Sequence, residues 1–237
     1  MNQALFEKNL AALERRDPAL FGAVRDASDD GSYQGAVRAK SGADVPLFRD
    51  GSPLHSLHDP EREARRLVEG LTDDAFILFV GLAGGYHVRE FLRLNPKSSC
   101  LAVEESAGSL RSLFGSTDVS DIILDDRVRL AVYGSREGFA QSLAEAYLPA
   151  LHGGFKVLPL RSWTGKFPSS FTADDIRDAL KRVSGDYSVQ AHFGRIWLRN
   201  CMINLARASS LPIQSPSFDT GKRALIAAAG PSLEKAV

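Results

Sequence analysis

The chain has 237 residues, and its 29 lysines and arginines balance its 29 aspartates and glutamates. Because nucleic-acid binders usually carry a basic excess, this balance argues against a dedicated nucleic-acid partner. No apolar run approaches the roughly 20 residues of a membrane-spanning helix, and the N-terminus lacks the apolar core of a signal peptide. We therefore expect a cytoplasmic globular protein without a membrane span, in which Cys100 and Cys201 are reduced, buried thiols.

The N-terminal residues 1–58 predict a small α+β cap. Apolar residues at helical spacing predict a helix over 3–14. Residues 33–58 consist of short alternating segments between Gly, Asp and Pro, a pattern that predicts a β-meander or a pair of hairpins. His55 and His58 fall in this region, but no third ligand has suitable spacing, so we expect no metal site.

Residues 59–183 predict a Rossmann-like α/β domain with a mainly parallel sheet. An apolar run from residue 75 enters a glycine-rich turn at 81–85, a helix follows, and a second apolar strand ends at Glu104. Apolar strands joined by a helix form a βαβ unit whose strands are buried on both faces. The same alternation predicts a helix over 60–71, strands near 128–132 and 155–160, and helices that begin near Ser135 and Thr172.

The remaining residues predict a bridge to a further domain. Apolar residues at helical spacing predict one long helix over 184–209, and a Ser- and Pro-rich segment completes a helix and linker over 184–220. Residues 221–237 contain an apolar strand and a Gly-Pro-Ser-Leu turn, which indicate the start of another α/β domain. We therefore expect the sequence to be the N-terminal part of a longer protein.

The glycine-rich turn is a candidate nucleotide-type site. Gly81, Gly84 and Gly85 lie between a strand and a helix, where backbone N–H groups suit an anion. Glu104 ends the next strand, where such folds hydrogen-bond a ribose, so the pattern predicts a nucleotide or S-adenosylmethionine pocket. The alternative is that the glycines only let the helix pack closely on the sheet, since Tyr86 replaces the third glycine of the dinucleotide-binding pattern.

Two further groups are candidates for ligand contact. Gly230, Pro231 and Ser232 form a turn at the start of a predicted helix, where a hydroxyl and backbone N–H groups suit a phosphate. Asn200 and Asn204 lie four apart on the long helix, where asparagine is unfavourable, so they either tie down a neighbouring loop or contact a ligand. The sequence has no Ser/His/Asp triad, P-loop or HExxH motif, and the catalytic residues stay unknown.

Four stretches of the sequence resemble a known family. They read HSLHDPEREA at 55–64, FVGLAGGYHVREFL at 79–92, WLRNCMINL at 197–205 and AAAGPSLEKAV at 227–237. In this order they resemble the N-terminal portion of the motility-associated-factor proteins. Those proteins glycosylate bacterial flagellin and carry a domain similar to the archaeal 6-hydroxymethylpterin diphosphokinase. Ala83 stands where the family has the middle glycine of its glycine-rich segment.

The resemblance implies a glycosyltransferase. It would transfer a nonulosonic acid, of the sialic or pseudaminic type, from its CMP-activated form to Ser or Thr of flagellin or another acceptor protein. By the same resemblance Gly230, Pro231 and Ser232 approach the CMP phosphate, and the present chain is an inactive scaffold or acceptor-docking part. Three alternatives stay open: a pterin-type diphosphokinase using ATP and magnesium, an S-adenosylmethionine-dependent methyltransferase on residues 75–160, and a non-enzymatic docking module.

Overall fold

The computed structural model describes residues 2–71, 75–166 and 172–208. The chain divides into two compact units, Met1–Ala191 and His192–Val237. In chain order the described elements are α1 (Gln3–Arg16), α2 (Pro18–Asp26), β1 (Tyr33–Arg38), β2 (Asp44–Phe48), α3 (Pro60–Val68), β3 (Ala75–Val80), α4 (Tyr86–Leu94), β4 (Cys100–Glu104), α5 (Ala107–Phe114), α6 (Ser120–Leu124), β5 (Val128–Val132), α7 (Arg136–Ala146), α8 (Pro149–His152), β6 (Gly154–Pro159), α9 (Arg161–Thr164) and α10 (Ala173–Ala208).

Four strands of the first unit form one parallel sheet. Their order is β5-β4-β3-β6, and each neighbouring pair is parallel. Every residue of β3 is buried, as expected for a central strand whose two faces are covered. The predicted α/β class, with a Rossmann-like and mainly parallel sheet, is therefore confirmed.

The strand order of this sheet reverses at β3. β4 and β5 follow on one side of β3, and the chain then crosses over to place β6 on the other side. In doubly wound sheets, ligands bind outside the carboxyl ends of the strands at such a reversal. The corresponding crevice lies between the carboxyl ends of β3 and β6, where the glycine-rich turn leaves β3.

The N-terminal residues form two helices and one hairpin. β1 and β2 are antiparallel, with an irregular register near the start of β1. After β2 the chain folds back and forms one antiparallel bridge, Leu47 with Pro53, so the predicted meander is present there as this short bridge. There Asp50 accepts the Ser52 N–H in a tight turn, and the chain then leads His55 to the glycine-rich turn. The small antiparallel sheet therefore ends where the contacts with the parallel sheet begin.

α10 is one continuous helix of 36 residues. It starts with a capping box, because the Thr172 hydroxyl accepts the Asp175 N–H and the Asp175 carboxylate accepts the Thr172 N–H. The sequence predicted a separate helix over 184–209, and this separation is wrong because no proline interrupts the chain there. Neither α10 nor any other described helix is long and apolar enough to cross a membrane. The predicted linker after the helix and the predicted domain over 221–237 lie outside the described residues.

The two cysteines differ in exposure. Cys100 on β4 is buried, and burial raises the pKa of its thiol. Cys201 on α10 is exposed, so the prediction of a buried thiol is wrong there. The apolar spacing around Cys201 marks a helix face that the described residues leave uncovered.

Candidate functional site at the carboxyl edge of the sheet

The glycine-rich turn links β3 to α4 through three residues with positive φ. These are Gly81, Ala83 and Gly85, with φ values of 94°, 42° and 70°. Left-handed backbone costs an L-residue roughly 1–2 kcal/mol, so glycine is favoured here and Ala83 is held in a strained conformation. The turn directs its N–H groups toward the end of β4.

Glu104, at the end of β4, receives these N–H groups. Its Oε1 accepts the backbone N–H of Leu82 at 2.9 Å and that of Ala83 at 3.1 Å. The Tyr33 hydroxyl donates to Oε1 at 2.9 Å, and the Trp163 indole N–H donates to Oε2, also at 2.9 Å. A carboxylate offers about four lone-pair sites, so the protein's own donors use the hydrogen-bonding capacity of Glu104.

Burial sets the electrostatics of this cluster. Glu104 is 1% exposed, and burial raises the pKa of its carboxyl, while the four donors act in the opposite direction. The pKa of Tyr33 is raised well above its usual value, first by burial and then by the charge of Glu104. The phenol therefore stays protonated and keeps donating to the carboxylate.

Trp163 fills the crevice at the strand-order reversal. It lies on α9, directly after β6, and is 1% exposed. A Cβ atom at position 81 would lie 2.5 Å from Trp163 Cγ, so the indole packs directly against the Gly81 backbone. Tyr33, Glu104 and Trp163 form a buried cluster, here called the plug, where doubly wound folds hold a ligand.

Two histidines hold the turn through further hydrogen bonds. The Gly84 N–H donates to His55 Nε2 at 3.1 Å, and His87 Nε2 donates to the Gly81 carbonyl at 3.1 Å. Both rings are buried, and burial lowers the pKa of His87 to about 3, so this ring is neutral near pH 7. Three successive N–H groups of the turn are thus bonded within the protein.

The structure brings together one of the three predicted groups of site residues. Gly81, Gly84, Gly85 and Glu104 meet at the carboxyl edge of the sheet. Asn200 and Asn204 are exposed on the part of α10 that belongs to the second unit. Gly230, Pro231 and Ser232 lie outside the described residues.

Sequence reasoning missed the two aromatic members of the plug and the role of His55. A signal existed for His55, because it opens one of the four stretches that resemble the family. Trp163 and Tyr33 lie 59 and 71 residues from Glu104 in sequence, and neither belongs to a motif. Only the tertiary structure connects them with the turn.

An open cleft of about 710 Å³ lies on the outer face of α4. Several of its charged side chains are paired with each other, as in Arg89 with Asp121 at 2.6 Å and Arg93 with Glu90 at 2.7 Å. Guanidinium groups already engaged with carboxylates are poorly placed to receive a phosphate, so this cleft does not replace the glycine-rich turn as a nucleotide-type site. Within the described ranges, no group of three or more His, Cys, Asp or Glu side chains is placed to hold a metal ion.

Comparisons with known sequences find relatives but no family model that matches. One relative, an uncharacterized protein of Treponema pallidum (strain Nichols), is 36% identical over 126 residues, which are 52% of this chain and 60% of that protein. Another uncharacterized protein of the same organism is shorter. It is 34% identical over 62 residues, 26% of this chain and 70% of that protein. The chain thus spans 60% of the first relative's length.

One solved structure is similar to the chain. Its title is "Structure of MAf glycosyltransferase from Magnetospirillum magneticum AMB-1", and it is 14% identical with a TM-score of 0.47. The match covers 70% of this chain and 34% of the solved chain. A TM-score below 0.5 is too low to support a conclusion, so the fold class rests on the order and parallel pairing of the strands.

Proposed function

We propose that residues 1–183 are a scaffold domain. The chain belongs to the same family as the short Treponema pallidum protein, which is 34% identical to it over 62 residues. In this proposal residues 1–183 form the N-terminal region of a cytoplasmic protein that transfers a nonulosonic acid from a CMP-activated donor to flagellin Ser or Thr. The domain itself binds no cofactor. It positions the catalytic residues or docks the acceptor protein.

The plug is the observation that carries the scaffold role. A nucleotide or S-adenosylmethionine needs an accessible acid after β4 and an open crevice beside β3. Here Glu104 is bonded to four donors of the protein, and the Trp163 ring occupies the crevice. This arrangement favours the alternative in which the glycines only let the helix pack closely on the sheet. It counts against a methyltransferase on residues 75–160.

The contact between His55 and the glycine-rich turn supports the link to the family. His55 opens the stretch 55–64, and the Gly84 N–H that it accepts belongs to the stretch 79–92. Two of the four resembling stretches therefore meet in space. Their residues bind each other, which is the role expected of a structural unit.

The proposed transfer reaction also needs a site for the CMP-activated sugar donor. Gly230, Pro231 and Ser232 would approach the CMP phosphate, because a helix start offers N–H groups and a partial positive charge to an anion. Stabilising the charge of a CMP leaving group is the main chemical requirement of such a transfer. A pterin-type diphosphokinase would use the same kind of turn with ATP and magnesium, so the donor has to be tested directly.

Calorimetric titration with S-adenosylmethionine, CMP, and ATP with magnesium tests the scaffold role. We expect no saturable binding of S-adenosylmethionine to the 237-residue chain, because the plug fills the crevice. Saturable binding that Gly81→Val abolishes would contradict the proposal and make residues 75–160 a cofactor domain. Gly42→Val is the matched control, because Gly42 also has positive φ but faces open space.

The transfer reaction is tested with a chain that continues past Val237. We expect CMP to bind this chain, and Ser232→Ala to weaken that binding while Gly42→Ala leaves it unchanged. Mass spectrometry of flagellin incubated with a CMP-activated nonulosonic acid then detects transfer to Ser or Thr. Binding of ATP with magnesium in place of CMP would favour the diphosphokinase and overturn the transfer proposal without affecting the scaffold role.

A further inference from the structure

The C-terminal part of α10 presents one continuous apolar side. Four large side chains within residues 193–208 are 50% to 68% exposed, namely Trp197, Leu198, Met202 and Leu205. With the exposed Cys201 they occupy positions i, i+1, i+4, i+5 and i+8, which lie within an arc of roughly 140° on an α-helix. This set of five residues is called the Trp197 stripe. Contiguous exposed apolar surface of this kind marks an interaction site.

Polar side chains border the Trp197 stripe. Arg195 and Arg199 follow it on one border of the helix, and Asn200 and Asn204 follow it on the other. All four side chains are exposed. Asparagine is unfavourable inside a helix, but its amide suits a border at which apolar surface gives way to polar surroundings. The segment is therefore amphipathic, with an apolar side and polar borders.

Every charge in this part of the chain has the same sign. Residues 187–208 contain three arginines and neither Asp nor Glu, although the whole chain carries equal numbers of acidic and basic residues. Pairing the segment with the same segment of a second copy would bring only cations together, because neither copy supplies a carboxylate. Juxtaposed like charges disfavour such an association. The chemistry that complements the segment is an anionic surface with an apolar layer beneath its charges.

We propose that residues 193–208 lie on an anionic lipid bilayer, parallel to the membrane plane. Aromatic and aliphatic residues on one side and arginines on the polar part are typical of helices that lie in a membrane interface. The Trp197 stripe enters the boundary between headgroups and acyl chains, and Arg195 and Arg199 bind lipid phosphates. Trp197 stacks on Phe193, with ring centroids 5.9 Å apart, and tryptophan is enriched at this depth. The proposal does not rest on the transfer of a sugar.

The opposite side of the helix separates a bilayer from a protein partner. Ile196 and Ile203 lie there, and their side chains are 51% and 38% exposed. A protein domain that enclosed the helix would cover both sides, whereas a bilayer surface contacts only the side that carries the Trp197 stripe. Single apolar residues on a solvent-facing side are normal. Substitutions on the two sides should therefore differ in effect only if the helix lies on a surface.

Vesicle flotation of the 237-residue chain tests the proposal. We expect saturable binding to vesicles of equal parts phosphatidylcholine and phosphatidylglycerol, and no binding to phosphatidylcholine alone. Leu198→Glu should weaken the binding at least ~10-fold, because it places a charge on the side that enters the bilayer. Ile196→Glu makes the same change of charge on the opposite side and is the matched control. It should weaken the binding less than ~3-fold.

A second pair of variants tests the arginines. Arg195→Gln combined with Arg199→Gln should weaken the binding roughly 10-fold or more, since each arginine near an anionic surface contributes to the attraction. Arg62→Gln combined with Arg66→Gln is the matched control. These two arginines are exposed on α3 with the same spacing of four residues. Their replacement should leave vesicle binding unchanged.

Each other outcome overturns the proposal. No binding by the unaltered chain would mean that protein covers the Trp197 stripe, and equal binding to both kinds of vesicle would mean that anionic lipid is not recognised. Equal losses from Leu198→Glu and Ile196→Glu would mean that the helix does not contact the bilayer with one side. If circular dichroism shows that Leu198→Glu is unfolded, the two arginine pairs decide the question. Equal effects of the two pairs would then overturn the proposal.

Discussion

The carboxyl edge of the sheet and the C-terminal half of α10 use the same residue types in opposite ways. At the sheet edge, Trp163 is 1% exposed, its indole N–H is bonded to Glu104, and its ring fills a crevice. On α10, Trp197 is 50% exposed and stacks on Phe193, with ring centroids 5.9 Å apart. One tryptophan completes a closed cluster, and the other lies on an apolar face that is still open.

The comparison shows that a sequence motif typical of ligand sites can be closed, whereas an apolar helix face can be open. The glycine-rich turn has the sequence pattern of a ligand site, but its N–H groups are bonded within the protein. Buried donors that are already satisfied leave little for a ligand to gain. On α10, by contrast, Trp197, Leu198, Met202 and Leu205 are exposed within the stretch 197–205 that resembles the family, and exposed apolar area is where association is favourable.

The largest expected effect compares the two tryptophans directly. Trp163→Ala should lower the free energy of unfolding of the first unit by about 3–5 kcal/mol, because a large buried ring leaves a cavity. The change also removes a donor from buried Glu104. Trp197→Ala is the control and should change the same free energy by less than about 0.5 kcal/mol. Urea denaturation, monitored through hydrogen exchange of the β3 amides, measures both changes in free energy. Equal changes for the two variants would mean that Trp163 is not a closed part of the first unit.

The next effect tests why position 81 is glycine. Gly81→Ala should destabilise the first unit by about 2–4 kcal/mol, since the backbone is left-handed and the new Cβ would lie 2.5 Å from Trp163 Cγ. Gly42→Ala shares the positive φ but meets open space, so it should cost only about 1–2 kcal/mol. Thermal unfolding of both variants gives the difference. A Gly81→Ala protein as stable as Gly42→Ala would show that Trp163 does not press against the turn.

A smaller effect concerns the hydroxyl of the plug. Tyr33→Phe removes one donor from the buried Glu104 carboxylate and should cost about 1.5–3 kcal/mol, the range for hydrogen bonds to charged groups. Tyr86→Phe removes an exposed bond to the Asp44 carbonyl and should cost less than about 1 kcal/mol. Urea denaturation of both variants ranks them. The reverse order would mean that Glu104 does not depend on Tyr33.

The parallel sheet could be predicted because its signals are local. The apolar runs that became β3 and β4, the cap at Asp59 and the start of α7 after Ser135 all follow from neighbouring residues. Local signals did not predict every helix, however. A helix over 3–14 is predicted and α1 ends at Arg16, but the next residue, Asp17, also caps α2, which the sequence analysis did not predict.

Whether the crevice at Gly81 is open to a ligand or filled by a side chain could not be predicted, because this depends on residues that are distant in sequence. Glycine at position 81 is required for close approach of a ligand, and equally for close approach of the Trp163 ring. The two cases have the same local sequence. Deciding between them requires knowing that β6 returns beside β3 and carries α9 over the turn, which is a property of the topology.

The smallest expected effect is a pH dependence that belongs to the closed region alone. Burial, and then the charge of neighbouring His55, lowers the pKa of His87 to about 3, against about 6.5 in an unfolded chain. Between about pH 3 and pH 6.5 the His87 ring is therefore protonated in the unfolded state and neutral in the folded state. The stabilising contribution of the neutral ring is complete above pH 6.5 and is lost as the pH falls from 6.5 toward 3.

Between pH 7 and pH 5 this loss should amount to roughly 1–2 kcal/mol. The pKa of Glu90 is lowered to about 2 by its bonds to Arg93 and Arg65, so its contribution is lost only at lower pH. His87→Gln keeps an N–H donor for the Gly81 carbonyl and removes the titrating ring. Urea denaturation at the two pH values should give a smaller loss for His87→Gln than for the unaltered chain. Equal losses would mean that the proton is taken up elsewhere and that His87 is accessible to water, in which case the glycine-rich turn is less closed than its hydrogen bonds indicate.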